Sequence, residues 1–307
     1  MRIPAETLEG PGTGRDTGRD SAAVTVDLVF CLAALVPSPP ILVSELCGGS
    51  SRAHGEDRQP ASDRTSVPDP RDVQLAELRT AVLRVGRTLA AVSSRWAVVG
   101  VGDTTRIIGS DAVGTFRGFG VDVPVALSGP RPVSGGAGIH GATPPDPCLP
   151  LPALIAGWLR GEVASEAAAR VHLVAADTPA ARCAELGAEL RAELDAHDEQ
   201  CAVLVVADGA ATLSTAAPGY FDPDAGPVQD CLDTALATGD RTALMALDPR
   251  LCARLAVSGR AAYQVLAGLV ATDPAPPAVE GRYRGAPFGV GYHVGMWRPA
   301  TGGEVAR

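Results

Sequence analysis

Four short apolar runs, separated by stretches long enough for a helix, constrain this chain more than any motif in it. Val26–Leu35, Trp96–Val101, Val171–Ala175 and Cys201–Ala207 carry almost no polar side chains. A strand with one wet face alternates polar and apolar residues, so continuous runs of this kind predict strands covered on both faces. Between them, Asp72–Ser94 places Val73, Leu75, Leu78, Val82, Leu83, Val85 and Leu89 at helical spacing and leaves Arg79, Arg84 and Arg87 for a wetter side. Leu149–Arg160 and Thr178–His197 are helical in the same sense. The alternation predicts an α/β fold: a three-layer single domain with a central, mostly parallel or mixed sheet flanked by helices. Val121–Leu127 adds a strand, helical segments follow at 225–238, 240–246 and 249–270, and Phe288–Met296 is a closing strand lined with glycine.

The domain spans 27–299. Residues 1–26 carry Gly14-Arg15-Asp16 and Gly18-Arg19-Asp20 without an apolar period and are expected to form a disordered tail; 48–71 is expected to be a mobile loop and 300–307 a C-terminal tail. Asp27–Val43 is apolar and precedes Ser44-Glu45-Leu46-Cys47, but Asp20 and Asp27 stand where a secretion signal needs positive charge, and Pro37, Pro39 and Pro40 interrupt the run. No other stretch has the length of a membrane span. The expectation is a cytoplasmic protein with no membrane partner.

The 307 residues carry 26 basic side chains against 35 acidic ones, a net charge of −9, and every basic one is Arg; the sequence has no Lys and no Asn. Without Lys there is no phosphate-binding P-loop lysine, no kinase lysine and no Schiff base. With no basic stripe to displace counterions, nucleic acid is not an expected partner. The seven cysteines, at 31, 47, 148, 183, 201, 231 and 252, form no C-x-x-C pair and read as reduced, mostly buried thiols.

Local catalytic signatures are absent. Gly136-Ala137-Gly138-Ile139-His140-Gly141 has the G-x-G-x-x-G spacing but sits in a Pro-rich loop, not between a strand and a helix. No Ser stands in a G-x-S-x-G elbow. His54 and His197 are expected on the surface and His172 in a strand. His140, in the Gly/Pro loop, and His293, beside Tyr292 on the glycine-lined last strand, are the two candidates to line a site. No His pair has metal-ligand spacing, so no metal is expected from local ligands.

Three stretches carry a resemblance. Leu35-Val36-Pro37-Ser38-Pro39-Pro40-Ile41-Leu42-Val43 follows the first strand. Val205-Val206-Ala207-Asp208-Gly209-Ala210-Ala211-Thr212-Leu213 runs on to Ala217-Pro218-Gly219-Tyr220-Phe221-Asp222-Pro223. The third extends from Asp230 through Leu247-Asp248-Pro249 and Ser258-Gly259 to Gly289-Val290-Gly291-Tyr292. Together they resemble the class III extradiol ring-cleavage dioxygenases of the LigB type and their Memo-like relatives, over about residues 27–299. The resemblance implies a LigB-like fold and, in active members, Fe(II) held by two histidines and a glutamate, with a further histidine as acid/base.

Carried over position by position, the first ligand falls on Ser38 and the second near Gly102 or Asp103. The acid/base position falls on Ala211, and the glutamate falls near Val257. None of these matches the family's residue. Asp103 and Asp208 remain as carboxylates near the strand ends, a pair better suited to Mg²⁺ or Ca²⁺ than to ring-cleavage iron, or simply to capping a turn. The expectation is a degenerate homologue that binds a small molecule or a protein in a cleft whose candidates are Ser38, Asp103, Asp208, His140, His293 and Tyr220. The alternative is an active non-haem iron dioxygenase for a catechol-type aromatic, with His140 or His293 in a rearranged ligand set. Relatives assemble as dimers or larger, so a homo-oligomer accords with the resemblance.

Overall fold

A computed structural model describes residues 30–47, 69–132, 144–197 and 199–300. The expected tail at 1–26, most of the expected loop at 48–71 and residues 301–307 lie outside the described residues.

The four apolar runs form the parallel centre of a seven-stranded mixed sheet. They are β1 (Phe30–Val36), β2 (Arg95–Gly102), β6 (Ala168–Ala175) and β7 (Cys201–Val206), set side by side in the order β6-β2-β7-β1. Every residue of β7 is buried, as its unbroken apolar run requires. Three further strands complete the sheet. β3 (Arg106–Ile108) pairs antiparallel with β6; on the other side β9 (Tyr292–Arg298) pairs antiparallel with β1, and β8 (Ala278–Gly285) pairs with β9 as the outer edge. The edge strand β8 reads AVEGRYRG, with Glu280, Arg282 and Arg284 interspersed, a charge pattern that discourages pairing with another chain.

Two apolar layers cover the sheet. On one face lie α1 (Pro70–Val92), α2 (Leu151–Val163) and a small separate two-stranded sheet, β4 (Val113–Thr115) with β5 (Pro124–Ala126). On the other lie α3 (Ala180–Asp195), α4 (Ala225–Thr238), α5 (Arg241–Met245), α6 (Pro249–Arg254) and α7 (Arg260–Leu269). The chain therefore leaves β1 and β2 towards one face, and β6 and β7 towards the other.

Several sequence expectations need correction. The strand read at Val121–Leu127 shrinks to β5 and joins β4 outside the main sheet, and β3, β4 and β8 were not foreseen. Residues 69–71 are no loop: Asp69 caps α1 by accepting from Arg71 N at 2.8 Å, and Pro70 occupies the first turn, where its missing N–H costs nothing. Val73, assigned to the apolar stripe of α1, is 44% exposed, whereas Arg79 is half-buried and donates to the Leu42 and Ile41 carbonyls.

The segment 249–270 is two helices. Ala256 takes a left-handed φ of 50°, Val257 N bonds Cys252 O at 2.8 Å and Ala256 N bonds Ala253 O at 3.2 Å; this paired closure ends α6. The closing strand begins at Tyr292, later than Phe288. Of the six cysteines described as free thiols, Cys148 and Cys231 are exposed, so burial is less general than composition suggested. No helix among the described residues is long and apolar enough to cross a membrane.

Candidate functional site

In an open parallel sheet, ligands bind beyond the carboxyl ends of the strands, where neighbouring connections depart to opposite faces. Every neighbouring pair of the parallel centre meets that condition, and at the β1–β7 pair two polar side chains meet beyond the strand ends. The register pairs Val36 with Val206, and Ala207 N still bonds Val36 O at 3.0 Å. Ser38 and Asp208 therefore leave the sheet together. Ser38 N donates to Asp208 Oδ1 at 2.7 Å, and Ser38 Oγ donates to Asp208 Oδ2 at 2.5 Å. Both carboxylate oxygens are thus held by one residue. The 40–42 turn that follows Ser38 is fixed from behind by Arg79 of α1.

The β7 side of the crevice is tied to three distant segments. Gly259 N donates to Asp208 O at 2.9 Å, and the Tyr263 hydroxyl of α7 donates to Ala207 O at 2.9 Å. Gly209 N bonds Gly291 O, Gly291 N bonds Ala210 O, and Ala211 N bonds Leu255 O. Although Asp208 keeps some surface, its carboxylate is enclosed enough that burial raises its pKa above 3.8, against the two Ser38 bonds that lower it. Burial, and then the nearby negative charge of Asp208, push the Tyr263 and Tyr292 phenols well up, so both stay protonated donors. Asp208 thus keeps its proton to higher pH than a surface Asp, while the Tyr263 and Tyr292 phenols stay protonated.

Behind it runs a buried polar chain that the sequence did not mark. Gln229 Oε1 accepts from Ala210 N at 2.8 Å, and Gln229 Nε2 donates to Asp233 Oδ1 at 3.1 Å. His293 Nδ1 stands 3.9 Å from the same Asp233 oxygen, and neither ring nitrogen has a hydrogen-bond partner. A signal existed in principle: Gln229 and Asp233 are four residues apart on a helix whose neighbours Leu232 and Leu236 are buried. Only the tertiary contacts reveal which way that pair faces.

The structure brings some of the expected site residues together. Ser38 and Asp208 touch, and Ala211 and Val257 sit on the segments that flank Asp208, joined through Leu255 and Gly259. Asp103 is exposed beyond β2 and forms no hydrogen bond or ion pair among the described residues. His293 is buried and turned to Asp233 of α4. Tyr220 is 65% exposed with a φ of 62°, held on its loop by Gly219 N to Ala211 O and Tyr220 N to Ala217 O. His140 and His54 lie outside the described residues. His172 is half-buried in β6, where burial pushes its pKa down, and His197 is exposed after α3.

The iron of active LigB-type enzymes does not fit this donor set. Ser38 spends its hydroxyl on Asp208, Ala211 and Val257 offer no donor, and among the described residues no three His, Cys, Asp or Glu side chains converge where they could hold a metal.

No protein-family model matches the sequence. No curated protein matches it either. In three dimensions the chain is similar to an uncharacterized protein of Escherichia coli K12, with 14% sequence identity, 87% of this chain and 99% of that chain covered, and a TM-score of 0.46.

Proposed function

We propose that this chain is a class III extradiol dioxygenase (LigB-type) relative that has lost the Fe(II) site and binds a small molecule or a protein partner at the β1–β7 strand-end crevice. One observation carries the reading. Ser38 stands at the family's first ligand position, and its backbone and side chain are both committed to Asp208. A hydroxyl and a carboxyl locked to each other serve hydrogen bonding to a ligand better than coordination of a soft-to-borderline metal. The exposed Tyr220 and Phe221 provide apolar surface on the loop pinned to Ala211. The rearranged-dioxygenase alternative draws less support, because His293 faces Asp233 in the helical layer.

Protein purified anaerobically with added Fe(II) should hold far less than one iron per chain and give no oxygen-dependent yellow product from catechols. Stoichiometric iron with ring cleavage would overturn the proposal. In the same preparation, Tyr220→Ser should weaken any ligand or partner that protects the crevice, without lowering thermal stability.

A further inference from the structure

Three arginines lie in the interior, and their surroundings differ. Arg191 is charge-compensated by Asp195 and Asp273, each at 2.7 Å. Arg160 is spent on backbone: its Nε and both terminal nitrogens donate to the carbonyls of Ala167, Ala126, Gly129 and Ser165. Arg260, at the first position of α7 and 3% exposed, is neither. Its guanidinium donates to Gln264 Oε1 and to the Ala176 and Thr178 carbonyls, all neutral acceptors. Three of the five N–H donors of a guanidinium are thereby used. Nε–H and one hydrogen on Nη1 have no acceptor among the described residues, and no described carboxylate pairs with the charge.

That arginine lines a cavity of about 230 Å³, whose other walls are Ala176, Pro249, Cys252, Ala256, Val257 and neighbouring Ala253 and Ser258. The walls carry one cation, one hydroxyl and no acid. The acidic side chains adjoining these segments are engaged or outward: Asp248 caps α6 by accepting from Leu251 N, Asp208 is held by Ser38, and Asp177 is exposed. A buried charge without a counter-charge is costly, and a concave, mostly apolar pocket with one convergent cation is the usual form of a site for a small anion. The positive end of α7 adds to the same field.

We propose that this cavity binds a small carboxylic acid: one carboxylate oxygen accepts from the unpartnered Nε–H of Arg260 and its short apolar body lies against Cys252, Ala253 and Val257. A carboxylate fits better than phosphate because one cation and one hydroxyl among apolar walls match a monoanion, whereas a phosphate dianion needs more donors than these walls supply. The cavity shares the 257–259 segment with the Ser38–Asp208 crevice but none of its polar side chains, and the proposal does not depend on the function proposed for that crevice.

The test is thermal unfolding of the full chain in increasing butyrate, with inorganic phosphate and sodium chloride at matched ionic strength as comparators. Butyrate should raise Tm saturably, by about 2–4 °C at roughly ten times its Kd. Arg260→Met should abolish the rise and Arg260→Lys should keep part of it. Should Arg260→Met fail to fold, Ala253→Glu decides, since it adds a bulky negative charge at the cavity wall and should remove the butyrate response while the far-ultraviolet spectrum stays unchanged. No saturable rise in the native chain, a rise that survives Ala253→Glu, or a response to phosphate but not to butyrate would each overturn the proposal.

Discussion

Ser38→Ala removes the donor to Asp208 Oδ2 and leaves the Ser38 N–H on Oδ1 in place. A hydrogen bond to a charged acceptor contributes about 1.5–3 kcal/mol, and one between neutral groups about 0.5–1.5 kcal/mol. Asp208→Asn turns the charged acceptor into a neutral amide whose Nδ2 faces Ser38 Oγ, and the hydroxyl then accepts instead of donating. Ser38→Ala should therefore cost about 2 kcal/mol at neutral pH in the native background and about 1 kcal/mol beside Asp208→Asn, a coupling of about 1 kcal/mol. The pH dependence follows from the raised pKa. Burial lifts the folded value of Asp208 above 3.8, so the contribution of this group is fully present below 3.8 and is lost as pH rises through the folded value. Deleting a bond that lowers the pKa lifts it further. The deficit of Ser38→Ala should thus be smallest near about pH 4 and grow towards neutrality. Urea unfolding of the four chains across that range measures both quantities. A cost below about 0.5 kcal/mol at neutral pH, or the same cost in both backgrounds, would refute the reading of this pair as the polar anchor of the crevice.

Four other substitutions test the surrounding scaffold. Gly209→Ala would bring its Cβ to 2.1 Å from Gln229 Oε1 and should cost about 1–3 kcal/mol. Adding Gln229→Ala should recover part of that loss, so denaturant unfolding should show the double variant falling short of the sum. Ala256→Gly relieves the left-handed backbone that closes α6 and should raise stability by about 1 kcal/mol, read as a higher Tm. Asp273→Ala leaves the Arg191 guanidinium, 5.2 Å from the Phe30 ring centre, with Asp195 alone; calorimetry should register a loss of about 3 kcal/mol, and a loss under about 1 kcal/mol would show the pair to be dispensable.

The sequence by itself determined the architecture. Unbroken apolar runs such as Cys201–Val206 have only one stable setting, a strand covered on both faces, and the helical spacing of Leu75, Leu78, Val82, Val85 and Leu89 supplies one of the covers. Short elements escaped because they lack such a pattern: β3 and β4 have three residues each, and the apolar residues of the edge strand β8 are broken up by Glu280, Arg282, Arg284 and two glycines. Of the site, the sequence placed Ser38 and Asp208 at strand ends but could not say that they meet, since they are 170 residues apart and only the β1–β7 register joins them. It also offered Asp103 and His293 as equals, although one faces solvent and the other Asp233. Arg260 looked like any other arginine of 26. Its burial without a counter-charge is a property of what surrounds it, and long-range packing alone decides which charges end up inside and beside what.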